Sequence, residues 1–162
     1  VPQEIARVET ARLADQIRRA ARGHAWSGPS AREALDGVTA PMAAAHPVVG
    51  AHSIWELVRH MTVWATVVRR RVSGEIVEPT AAQDWPALTG HERPADWEAD
   101  LQALFAAHEA LAASVEQLDD AALDRALSPV YTTYVTLHGQ AQHTLYHTGQ
   151  ISLLKRALGR PT

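Results

Sequence analysis

The sequence predicts an all-α protein, a four-helix bundle with short extra helices in the connections. Three observations point there. Apolar residues recur at intervals of three and four over four long stretches, the period of one helix face. Ser-x-x-Glu boxes and Gly or Pro punctuation bracket those stretches as start and stop signals. No segment shows the apolar–polar alternation of a half-buried strand. At 162 residues, one domain spanning 1–162 is the simplest organisation and is large enough to bury a core.

The elements follow in order. Residues 2–22 read as the first helix: Ile5, Val8, Leu13, Ile17, Ala20 and Ala21 keep the helical period, Pro2 suits a first turn, and Gly23 ends it. Ser30 and Glu33 have the spacing of a capping box and open a short helical piece that Gly37 closes. Residues 39–45 fit one further turn before His46-Pro47, where the residue preceding proline is pushed out of helix. Ser53 and Glu56 form a second capping box for a long helix running to about Gly74. Its buried stripe is Ile54, Leu57, Val58, Met61, Ala65, Val68 and Val72, with Arg59, Thr62, Thr66 and Arg70 opposite. The connection over 75–95 is long for a bundle, where two to eight residues are usual, and can run the length of a helix, leaving its neighbours parallel. Asp96 is the expected cap of the third long helix, whose apolar face carries Trp97, Leu101, Leu104, Phe105, His108, Leu111, Val115 and Leu118. A short turn over 120–126 and the breaker Pro129 precede the last helix, about 134–158, with Gly159 and Pro161 as stop signals.

Composition narrows the function classes. A net charge of −3 with scattered arginines argues against a nucleic-acid footprint. No apolar run reaches the ~18 residues a bilayer span needs, so no membrane role is expected. No secretory-signal pattern occurs, and cytoplasm is the default compartment. Cysteine is absent, which removes disulfides, thiolate ligands and a protein thiol nucleophile together.

The chemistry concentrates in the last helix. At about 100° per residue, His143 and His147 lie roughly 40° apart on one face. Two imidazoles at i, i+4 can direct their nitrogens at one metal ion without bending the backbone. The alternative is a pair of interfacial histidines with satisfied hydrogen bonds. His60 is the best third ligand, because helical-wheel arithmetic puts it about 100° from the centre of its helix's stripe, on the core's rim. His52 is the reserve ligand or a border of the pocket. Gln150, one turn beyond His147, suits a hydrogen bond to a ligand or to metal-bound water. Trp64, a turn below His60, fits a wall of the site, whereas Tyr146 suits core packing better than donation into the pocket. His138 should turn away from the pair and His108 should pack in the core; His24, His46 and His91 carry no signal. Arg71 is some three turns from His60, a weak anion binder.

Those residues also carry a resemblance. His60 within Trp55-Glu56-Leu57-Val58-Arg59-His60, followed far downstream by His143-Thr-Leu-Tyr-His147-Thr-Gly149-Gln150-Ile151, is similar to the DinB/YfiT-like family of metal-dependent proteins. Leu137-His138-Gly139 and Leu153-Leu154-Lys155 extend the likeness along the final helix. The resemblance covers about 47–74 and 134–158. It implies a four-helix bundle, a divalent metal on three histidines at positions 60, 143 and 147, frequent dimerisation, and in some members thiol-dependent transferase or isomerase activity.

Three neutral imidazoles leave a divalent ion its full charge and at least one free position, the catalytic pattern. Such an ion lowers the pKa of a bound water or thiol. Without cysteine in the chain, a thiol has to arrive as a low-molecular-weight cosubstrate. The expected function is a metal-dependent transferase acting on a small-molecule substrate with such a thiol. A metal-water hydrolase and a non-catalytic metal-binding stress-response protein are the alternatives. Zinc or nickel suits the donor set best, with iron and copper open. Trp26, Trp85 and Trp97 in or beside irregular segments, with the resemblance, point to a homodimer.

Overall fold

Backbone amides without a partner inside a helix decide where the helices of this chain begin. The computed structural model describes residues 7–159, and among these it contains α-helices and no strand. The long helices are α1 (Val8–Arg22), α4 (Ile54–Val72), α6 (Pro94–Glu116) and α7 (Thr133–Ala157). Short helices α2 (Ala31–Leu35), α3 (Ala40–Ala44) and α5 (Ala81–Asp84), with a 3-10 turn at Asp120–Asp124, occupy the connections. Expectations for residues 2–6 and for Pro161 fall outside the described residues.

Capping is specific at several of the starts. Ser30 and Ser53 each accept the amide of the glutamate three residues on, and that glutamate's carboxylate accepts the serine's own N–H. The free end of α1 is closed from a distance: the Asp120 carboxylate accepts the amides of Val8, Glu9 and Thr10 at 3.0–3.1 Å. Asp96 is not the cap of α6. That helix starts two residues earlier because Pro94 takes its first position, where a missing N–H costs nothing, and Asp96 reaches back to the Arg93 amide at 2.8 Å.

The direction of packing fixes the topology. Trp55 near the start of α4 meets Trp97 near the start of α6, ring centres 5.3 Å apart, while Val72 and Val115 share one cluster at the far ends. These two helices are parallel, and the long connection 73–93 makes the return. α7 runs antiparallel to α4: Leu137 packs in the cluster of Val68 and Val72, whereas Ile151 and Leu154 join Ile54 and Met61. α1 opposes α6, with Arg18 bonded to Glu109 and Glu116 and Arg22 donating to the Phe105 carbonyl. The core is thus two apolar clusters stacked along the bundle. One holds Trp55, Met61, Trp97, Leu104 and Ile151; the other holds Leu13, Ile17, Leu111, Val115 and Leu137. His60 and His143 stand where the two meet. No helix among the described residues is long and apolar enough to cross a membrane.

Candidate metal centre

Antiparallel packing of α4 on α7 brings one histidine to two. His143 and His147 project from successive turns of α7, and His60 comes across from α4. The Nε2 atoms of His60 and His147 each lie 3.0 Å from Nε2 of His143, and the cluster's ligand atoms all fall within 4.8 Å of one another. His60 and His147 are buried, and His143 is half-buried.

The outward nitrogens explain why the inward ones converge. Nδ1–H of His60 donates to the Asp84 carbonyl at 2.9 Å and faces the Asp84 carboxylate at 3.0 Å. Nδ1–H of His147 donates to Oε1 of Gln150 at 2.6 Å. Both partners only accept, so the proton of each ring sits on Nδ1 and Nε2 is a bare lone pair. His143 can offer a single Nε2 proton between two such lone pairs, and its own buried Nδ1 has no partner. Three imidazoles so arranged cannot satisfy one another. A cation accepts all three lone pairs at once, and this donor set fits a transition metal. Charge agrees: burial, then the neighbouring His147 and His60, push the His143 pKa down to about 3. Burial lowers that of His147 too, against the opposing hydrogen bond to Gln150. At neutral pH both rings present unprotonated nitrogen.

Two residues that periodicity missed complete the centre. Asp84 ends α5, and its Oδ1 accepts the indole N–H of Trp64 at 2.6 Å while facing His60. Trp85 follows and lies flat between two imidazoles, 3.8 Å from His60 and 3.7 Å from His52, each within 7° of parallel. Both come from a connection, so no helical spacing relates them to a histidine. In the sequence Trp85 stands out only as one of three tryptophans in or beside irregular segments, and Asp84 not at all.

The other candidates find their places. Gln150 orients His147. Trp64 sets its edge toward His60 and His143, with centroids 6.5 and 6.2 Å away. His52 is outside the three-histidine group and borders the pocket through Trp85, with Nδ1 3.7 Å from Glu56. Tyr146 is not a core residue: it is 64% exposed, and its ring meets that of His147 edge-on at 5.0 Å. One position from His147 on the wheel carries it past the core to the cavity mouth. His138 stacks edge-on with Tyr134, away from the cluster. His108 is a buried core residue bonded to the Leu104 carbonyl and to Thr144. Arg71 is spent on the Val77 carbonyl and on Glu78. In front of the three histidines opens a cavity of about 680 Å³.

A family model described as the DinB superfamily matches residues 25–151. The chain belongs to the DinB superfamily. Among curated proteins and solved structures, none matches it. The match spans α2 to the latter half of α7, so the three histidines of this DinB-superfamily chain fall inside it together with Asp84 and Trp85. Membership and the three-histidine cluster are together compatible with metal binding.

Proposed function

We propose that His60, His143 and His147 hold one divalent transition metal and that the protein is a metal-dependent transferase using a low-molecular-weight thiol. The observation that carries this is the convergence of three Nε2 atoms, with two tautomers fixed from outside, at the base of an open cavity. No fourth histidine or carboxylate joins the cluster among the described residues, which leaves room for an exogenous ligand. Bound there, a divalent ion supplies Lewis acidity that lowers the pKa of a thiol or water reaching it. Zinc or nickel fits three imidazoles best, with iron or copper next.

The chain's own residues orient and enclose. Asp84 and Gln150 hold the rings of His60 and His147, while Trp64 and Trp85 exclude water from two sides. The thiol loses its proton to solvent, its sulfur bonds to the electrophilic carbon, and the leaving group departs with the electron pair of the broken bond. Homodimerisation is part of this reading but has less support than the tryptophans suggested. Trp97 is buried and donates to the Val38 carbonyl at 3.0 Å, and Trp85 serves the site, so Trp26 alone is free on the surface.

Cobalt(II) substitution tests the thiol. Sulfur ligation adds intense charge-transfer bands that oxygen and nitrogen ligands lack, and we expect them with at least one small cellular thiol, lost in His143→Ala. If hydroxide or carboxylate anions perturb the spectrum and no thiol does, metal-assisted hydrolysis or a purely binding role replaces this reading.

A further inference from the structure

The cavity before the three histidines has an unusual balance of walls and charges. Leu57 and Leu154 are buried along it, while Val48, Tyr146 and Leu153 sit at its mouth and remain 45%, 64% and 64% exposed. With the rings of Trp64 and Trp85, these residues line most of the way in. No lysine or arginine lines the cavity among the described residues. Its polar groups are largely committed: Gln150 to His147, and the Asp84 carboxylate to His60 and Trp64. The nearby charges are the wrong sign or face elsewhere. Glu56, outside the lining, contacts His46 and His52, and Arg71, behind Trp64, is taken by Val77 and Glu78.

An anionic group on the part of a ligand that lies away from the imidazoles would lose hydration, gain no lysine or arginine, and meet the field of Asp84. A hydrocarbon chain would gain by covering Leu153, Val48 and Tyr146, side chains that now face water. We propose that the molecule bound beside the three histidines is uncharged and largely hydrocarbon, with one polar or sulfur-bearing head at the imidazoles and its body along Leu57, Trp85, Leu153 and Leu154. The head group rests on the metal reading above; the body does not.

Two matched pairs of compounds separate these claims. Isothermal titration of zinc-loaded protein would compare benzyl mercaptan with 4-(mercaptomethyl)benzoate, and benzyl alcohol with 4-(hydroxymethyl)benzoate. Each pair differs by one remote carboxylate. The neutral member of both pairs should bind about tenfold more tightly. Leu153→Lys, which puts a cation on the wall that meets the ligand's body, should narrow the gap in both pairs by tightening the carboxylates and weakening the neutral compounds. If the neutral preference holds while thiols bind no better than alcohols, the thiol reading fails and this inference stands. Carboxylate binding as tight as neutral binding in either pair overturns it, as does no measurable binding of the neutral compounds.

Discussion

His60 is held at its outer nitrogen by two oxygens of one residue, and that arrangement separates orientation from ligation. Asp84 offers a backbone carbonyl at 2.9 Å and a carboxylate at 3.0 Å. Removing the side chain leaves the carbonyl in place, frees the Trp64 indole N–H, and takes away the charge that makes the ring a stronger donor. Loss of such a partner commonly weakens metal binding by about 10- to 100-fold, and the lower end is expected here because half the arrangement survives. Chelator competition on Asp84→Ala should therefore show affinity about tenfold below the parent. Asp84→Asn, which keeps an acceptor oxygen, should lose less. His52→Ala serves as the reference, because His52 reaches the cluster only by stacking through Trp85. Parental affinity in Asp84→Ala would remove the orienting role.

Between elements, what could be read in advance depended on how local the cause is. The boxes at Ser30 and Ser53 act over three residues and located α2 and α4 from sequence alone. The start of α6 was displaced because Asp96 looks like a cap until Pro94 is given the first position, which moves the acid to the third. Spacing within α7 related His143, His147 and Gln150, since a helix fixes such angles wherever it packs. That α4 sets His60 against them is a matter of packing, to which its place on the core's rim and the family resemblance both point without fixing the contact. Asp84 and Trp85 were beyond both routes. Their positions depend on how the 73–93 connection folds back over α4, and α5 within it, capped by Thr80 and Gln83, aims them at the site. Tyr146 shows the reverse: a large ring next to a ligand position suits core packing by its size, and the structure puts it at the mouth.

Across the whole molecule, buried neutral histidines set the response to acid. His108 lies at the bundle's centre, where burial lowers its pKa against the opposing hydrogen bond to Leu104, and His143 is pushed down to about 3. Both titrate near 6.5 once unfolded. The unfolded chain therefore binds protons that the fold refuses, so the stabilisation is full above about pH 6.5 and drains away as pH falls toward the folded values. Carboxylates held below their ordinary range, such as Asp120 and Glu56, respond only at lower pH. Urea unfolding of metal-free protein should show stability lower at pH 5 than at pH 7.5 by on the order of 1 kcal/mol or more. His108→Leu should have a shallower dependence, and a parent midpoint that does not move between the two pH values would contradict the assignment. The central claim, that one ion sits on histidines from two antiparallel helices, is tested most directly by elemental analysis of tag-free protein and its His60→Ala and His143→Ala variants after metal loading and dialysis. About one ion per chain is expected in the parent, none retained by His143→Ala, and severely reduced retention in His60→Ala. A full complement of metal in either variant, or no metal in the parent, would contradict it.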